Sequence, residues 1–234
     1  MSSQNAEATG AFTYNLDLVL CIDVTGSMNK IIKDVKTNAL NFHEALLSKM
    51  ASKQKSVSQL RVRVIAFRDM MADNPCFIES KFFVLPEEKT EFFKFVELLK
   101  AKGGGGDGPE SGLEAISLAI TSDWVQSGNK VRHAIVVWTD ARPHPLEKGL
   151  LSRPQGFETR LATSLTQLTD WWESPQDSML RNEAKRLVIF APDGPEWSQL
   201  VENWNQTIFY ESKAGQGLKD FEFDTILDLL VQSI

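Results

Sequence analysis

An apolar run that ends on a carboxylate narrows the architectures open to this chain more than any other stretch. Leu16-Asp17-Leu18-Val19-Leu20-Cys21-Ile22 is nearly continuous in apolar character and gives way to Asp23-Val24-Thr25-Gly26-Ser27-Met28. Such a run suits a strand covered on both faces, the kind found in parallel sheets with helices above and below. Beyond the turn, Ile31, Val35, Ala39, Phe42 and Leu46 recur at intervals of three and four, which predicts a helix with one apolar face. The turn therefore places one carboxylate and two hydroxyls between a buried strand and a helix. Hard oxygen ligands at alternate positions suit a small hard cation. They also suit phosphoryl chemistry, with Asp23 as the nucleophile.

The rest of the chain repeats the strand–helix theme. Residues 1–13 are small and polar and read as a loose tail. Arg61 to Phe67 reads as a second strand and Phe77 to Leu85 as a third, joined by a short loop that predicts an antiparallel edge. Pro86-Glu87-Glu88 opens a helix whose buried stripe is Phe92, Phe95, Val96 and Leu99. A glycine-rich loop, Gly103 to Glu110, precedes a helix carrying Leu113, Ile116 and Ile120. Val131 to Trp138 is the fourth strand and ends at Thr139-Asp140. A helix through Leu161, Leu165, Leu168 and Trp172 follows, then strands at Leu187–Ala191 and Thr207–Tyr210. Phe221, Ile226, Leu230 and Ile234 mark a closing amphipathic helix. The expected fold is α/β: a Rossmann-like, doubly wound, mostly parallel six-stranded sheet with one antiparallel edge strand and helices on both faces. With no visible linker or repeat, residues 14–234 read as a single domain.

Composition removes several function classes. A net charge of -6, with acids spread along the chain, disfavours nucleic acid and anionic membranes as partners. No basic-then-apolar leader is visible, and no apolar run nears the roughly 20 residues of a membrane span. Cys21 in a buried strand and Cys76 in a turn read as free thiols of a reducing compartment, with the cytoplasm as the default.

In an open doubly wound sheet, ligands bind beyond the carboxyl ends of the strands where the strand order reverses. In the order 3-2-1-4-5-6 that crevice lies between the first and fourth strands, which end here at Asp23 and Asp140. The Gly103–Glu110 loop can reach the same rim. Three acidic turns thus converge on one point.

With these residues in hand, the sequence resembles the von Willebrand factor A domain family. The metal-ion-dependent adhesion site of that family uses Asp-x-Ser/Thr-x-Ser after the first strand, a threonine on a later loop and an Asp after the fourth strand. Asp23, Thr25 and Ser27 match the first element and Asp140 the last. Where the threonine is usual this chain reads GGGGDGPE, similar to hemicentin-like A domains and to those attached to atypical alpha-kinases; Thr139 to Arg142 also looks hemicentin-like. By position, Asp107 replaces the threonine. The resemblance implies a non-enzymatic module that holds Mg²⁺ (or Mn²⁺ or Ca²⁺) through Asp23, Thr25, Ser27, Asp107 and Asp140. It also implies a protein partner whose acidic side chain completes the metal shell, with a kinase, phosphatase or ATPase nearby by family analogy. A third carboxylate would strengthen cation binding and weaken the demand for an acidic partner group.

The alternative from another class is a haloacid-dehalogenase-like phosphohydrolase with Asp23 as nucleophile. Against it, Thr25 stands where such an enzyme needs an acid/base Asp, and the later Gly-Asp-Gly-x-x-Asp motif is incomplete around Asp193-Gly194. The remaining polar residues have plainer readings. His43 lies at the edge of a helix face, His133 enters a strand, His144 reads as a solvated loop residue and Arg68-Asp69 as a surface ion pair. No Ser-His-Asp arrangement can be argued from these histidines. The tryptophans read as core or helix-packing residues.

Overall fold

The computed structural model describes residues 13–30, 32–128, 130–174 and 180–211, together with residues 227, 228 and 231. Its strands are β1 (Thr13–Asp23), β2 (Ser56–Phe67), β3 (Phe77–Glu79), β4 (Phe83–Leu85), β5 (Lys130–Trp138), β6 (Lys185–Ala191) and β7 (Thr207–Glu211). Between them run the helices α1 (Ile32–Ser52), α2 (Lys89–Leu98), α3 (Gly112–Ile120), α4 (Leu165–Glu173) and α5 (Pro195–Asn203). Across the sheet the order is β3-β2-β1-β5-β6-β7, with β4 also paired to β2. All pairings are parallel except those of β3 and β4 with β2. The expected antiparallel edge strand is thus present but broken: Ser80 to Phe82 leave the ladder, and the Ser80 hydroxyl accepts the Val64 amide in the gap at 2.9 Å.

Alternation along β1 builds two cores. Leu16, Leu18, Leu20 and Ile22 face one layer with Phe42, Leu46 and Met50 of α1, Phe92 and Val96 of α2, and Leu227 and Val231. Val19 and Cys21 face the other, with Leu113 and Ile116 of α3, Leu168 and Trp172 of α4, and Trp197 and Leu200 of α5. Leu20 is fully buried, so truncation to Ala should cost about 2–5 kcal/mol. The one acid inside the run, Asp17, is also fully buried; it accepts from Arg61 Nε and the Val125 amide, both at 2.7 Å. That pairing satisfies a charge the apolar pattern alone would not tolerate.

Several expectations meet the structure differently. Helix α5 escaped the hydrophobic pattern because it is short, although Pro195 at its first turn, Glu196 and the buried pair Trp197 and Leu200 are its signals. The predicted stripe of α1 is seen at the buried Phe42 and Leu46, whereas Ile31 and the side chains of Val35 and Ala39 lie outside the described residues. The same holds for residues 1–12 and for Phe221, Ile226, Leu230 and Ile234. Among the described residues, no helix is long and apolar enough to cross a membrane.

Candidate functional site

Strand register brings the first and fourth acidic turns together. Ile22 pairs with Trp138 of β5, so Asp23 and Thr139 leave the sheet side by side. Asp23 is fully buried, and both its carboxylate oxygens are engaged. Oδ1 accepts the Thr25 amide at 2.8 Å and the Thr25 hydroxyl at 2.6 Å; Oδ2 accepts the Thr139 hydroxyl at 2.6 Å. Ser27, on the short 3₁₀ turn Gly26–Lys30, donates to Asp140 Oδ1 at 2.9 Å and stands 3.1 Å from Thr25 Oγ1. A hydroxyl has one hydrogen and two lone pairs. With the hydrogens of Thr25 and Ser27 spent on carboxylates, their lone pairs are left for the cleft.

The glycine loop supplies the opposite wall. Gly103 accepts the Gly26 amide at 3.1 Å, and the Gly104 amide donates to Asp73 Oδ2 at 2.8 Å. Gly104 has φ +102°, and a Cβ there would lie 2.7 Å from Glu110 Oε1 and 3.0 Å from Thr25 Cβ. The backbone passes between these two side chains only because nothing projects from it. The result is a cleft of about 370 Å³ lined by Thr25, Ser27, Gly103, Gly104, Gly106, Gly108, Glu110, Asp140 and Ala141, with no lysine or arginine among them.

Its electrostatics are one-sided. Burial holds the Asp23 carboxyl up at about 6, against the hydrogen bonds from Thr139 and Thr25, and raises Asp140 as well. Glu110 is pushed up to about 9 by burial and by the charges of Asp23, Asp69, Asp73 and Asp107. Asp140 Oδ2 and Glu110 Oε2 are buried with no hydrogen-bond partner. Two orphaned acceptors and a third acid behind them, in a cleft without a basic lining residue, match a divalent cation's demand for hard oxygens.

Of the sequence-predicted residues, Asp23, Thr25, Ser27 and Asp140 meet at this cleft. Asp107 stands apart from its lining; the loop turns its half-exposed carboxylate outward, 3.8 Å from His144 Nε2 and 3.6 Å from Lys148 Nζ. Glu110, three residues on, faces the cleft instead. The sequence places Glu110 in the glycine loop, but position alone assigns the ligand to Asp107; the end of that loop was the signal for Glu110. Two plainer readings also change. His144 is 2% exposed rather than solvated, with its imidazole pKa lowered by burial and by Lys148. Arg68 and Asp69 are both buried and do not pair with each other. Arg68 donates to the carbonyls of Pro75 (2.9 Å) and Lys100 (3.3 Å), while Asp69 accepts the Met71 amide at 2.8 Å. His133 reaches the Val125 carbonyl with Nε2 at 2.8 Å, and His43 is buried.

Asp23 is fully buried and each of its carboxylate oxygens already accepts a hydrogen bond, an arrangement less suited to in-line attack on phosphorus than an exposed carboxylate would be.

Comparison with known proteins agrees with the fold. Residues 17–153, more than half of the chain, match the von Willebrand factor A domain model. The alpha-protein kinase vwkA of Dictyostelium discoideum is 29% identical over 133 residues, which are 56% of this chain and 19% of that protein. The chain thus spans about a fifth of the length of this curated relative. Among solved structures, the pilus adhesin SpaC of Lactobacillus rhamnosus GG superposes with a TM-score of 0.55 at 10% identity, covering 93% of this chain and 30% of the adhesin. At that identity the likeness speaks for the fold alone.

Proposed function

This chain belongs to the von Willebrand factor A domain family, and on that premise we propose that it is a metal-dependent protein-binding module. Mg²⁺, or Mn²⁺ or Ca²⁺ in its place, is held in the cleft by Ser27, Thr25 and Asp140, with Asp23 supplying negative charge from behind the hydroxyls. The observation that carries this reading is the Ser27–Asp140 hydrogen bond at 2.9 Å. It joins residues 113 positions apart into one oxygen-rich wall, with Asp140 Oδ2 left unpartnered beside it. Glu110 makes the third carboxylate of the cleft, the role position alone assigned to Asp107.

Three carboxylates around one divalent ion exceed its charge. The ion is then held firmly by the protein and is a weaker electrophile toward a partner's acid, so the partner contributes contacts around the rim as well as a ligand. The buried free thiols Cys21 and Cys76 fit a reducing compartment such as the cytoplasm. Association with a kinase is suggested by the vwkA relative's name. Neither a general base nor an exposed nucleophile is required, and the module acts by binding.

The test is affinity capture from a cell extract with Mg²⁺ or with chelator, comparing wild type with Asp23→Ala/Ser27→Ala. A partner retained only by wild type, and only with the ion, supports the reading. Retention that ignores both ion and substitutions defeats it, as does phosphatase turnover abolished by Asp23→Asn.

A further inference from the structure

Beside the glycine loop, outside the lining of the cleft, lies a second group of ligand atoms that the binding reading does not use. His144 Nε2 stands 3.7 Å from Asp69 Oδ1 and 3.8 Å from Asp107 Oδ2. One ligand atom from each of the three residues falls within 4.8 Å of the others. His144 is 2% exposed, yet its Nε2 has no hydrogen-bond partner. A buried ring nitrogen aimed between two carboxylates without a bond to either has an unmet demand.

The surroundings hold these atoms apart instead of letting them collapse onto one another. Gly105 sits between the acids with φ +59°, and a Cβ there would fall 2.6 Å from Asp69 Oδ2 and 3.5 Å from Asp107 Oδ1. The Met71 amide fixes Asp69 through Oδ1. The His144 backbone amide donates to the Glu110 carbonyl at 3.0 Å, which ties the histidine to the base of the same loop. Lys148 Nζ lies 3.3 Å from His144 Nδ1 and 3.6 Å from Asp107 Oδ2, but its ammonium is half exposed and does not reach Nε2.

We propose that Asp69, Asp107 and His144 form a second cation site, selective for a transition metal of the Zn²⁺ type. Bonds of about 2.0–2.2 Å from zinc to nitrogen and oxygen put neighbouring ligands of a tetrahedral site roughly 3.3–3.6 Å apart. The separations of 3.7 and 3.8 Å lie within a few tenths of an ångström of that range, so small side-chain movements would close the set around an ion. An imidazole in the set favours Zn²⁺, Cu²⁺ or Ni²⁺ over Mg²⁺, whereas the all-oxygen cleft favours the harder ions. One glycine loop therefore separates two sites of different chemistry, with Gly104 against Glu110 and Gly105 against Asp69. The second site stands on its own residues, although the charges of Asp69 and Asp107 also reach Glu110 in the cleft.

The experiment is calorimetric titration of the metal-stripped full chain with Zn²⁺, in Mg²⁺ excess, for wild type, Asp107→Asn, His144→Gln and Asp23→Ala/Ser27→Ala. One zinc equivalent is expected. Asp107→Asn and His144→Gln should each weaken it at least tenfold, and the cleft double variant should leave it unchanged. Co²⁺-loaded wild type should show one paramagnetically shifted imidazole signal, absent from His144→Gln. Because Asp107 is half exposed, its variant gives the answer even if the buried His144 variant fails to fold. The proposal is overturned by unchanged zinc affinity in Asp107→Asn, by no zinc binding over Mg²⁺, or by a cobalt spectrum lacking the imidazole signal. Loss of zinc binding in the cleft double variant would overturn it too, by merging the two sites into one.

Discussion

At Glu110 stability and binding pull in opposite directions. Its carboxyl is buried beside other acids and held up at about 9, so the metal-free fold is more stable when this group is neutral. A cation in the cleft reverses that preference. Glu110→Gln should therefore raise the stability of the metal-free protein in urea while lowering Mg²⁺ affinity by roughly tenfold, about 1.4 kcal/mol. Both readouts moving the same way would remove Glu110 from the cleft's electrostatics. Glu114, in the first turn of α3, is a different case. It is 1% exposed, its Oε2 has no partner, and burial pushes it up to about 8. Its folded pKa lies above the ordinary 4.5, so the folded state binds the proton more tightly than the unfolded chain. Its contribution is full below about pH 4.5 and is lost as pH rises towards 8. Glu114→Gln should flatten that slope: unfolding midpoints near those of wild type at pH 5, and a gain of more than about 1 kcal/mol at pH 8.

Elements differ in how plainly the sequence announces them. β1, β5 and β6 are legible because strands covered on both faces leave nearly continuous apolar runs, β2 because Val62 and Val64 alternate with Arg61 and Arg63 before Ile65 to Phe67, and the switch point between β1 and β5 follows from their order. The Asp23–Ser27 turn and Asp140 were legible for the same reason, since they end such runs. Asp107 and Glu110 were not separable, because the loop that presents them has positive φ at Gly103, Gly104, Gly105, Gly106 and Gly108. Periodicity says nothing about where side chains point after such a loop. His144 was misread because its burial comes from packing against the loop and not from its own neighbours in sequence. The loop makes a prediction of its own. Gly104→Ala combines backbone strain with contact against Glu110 and Thr25, whereas at Gly106 (φ +86°) a Cβ would meet nothing within 4 Å. Both substitutions should cost about 1–3 kcal/mol of stability. Only Gly104→Ala should also lower Mg²⁺ affinity, measured by calorimetric titration of the metal-stripped protein with Mg²⁺.

For the whole molecule, the cleft links the two halves of the sheet. β1 brings Asp23, Thr25 and Ser27; β5 brings Thr139 and Asp140; the loop before α3 brings Glu110. A cation there binds groups that are brought together only by folding, so it should act on the global transition and not on a local one. At a free Mg²⁺ concentration about 100 times the dissociation constant, the expected stabilisation is about 2.7 kcal/mol. In a domain of 150–250 residues each kcal/mol moves the midpoint by roughly 2–4 °C, so the thermal midpoint should rise by roughly 5–10 °C. Asp140→Asn should abolish the rise, because it removes the one cleft carboxylate that both touches Ser27 and leaves an oxygen unpartnered. Asp107→Asn should keep it, since that carboxylate is outside the cleft lining and faces His144 and Lys148. Differential scanning calorimetry of the three proteins, with Mg²⁺ and with chelator, separates these outcomes. A rise that survives Asp140→Asn would place the stabilising ion outside the cleft.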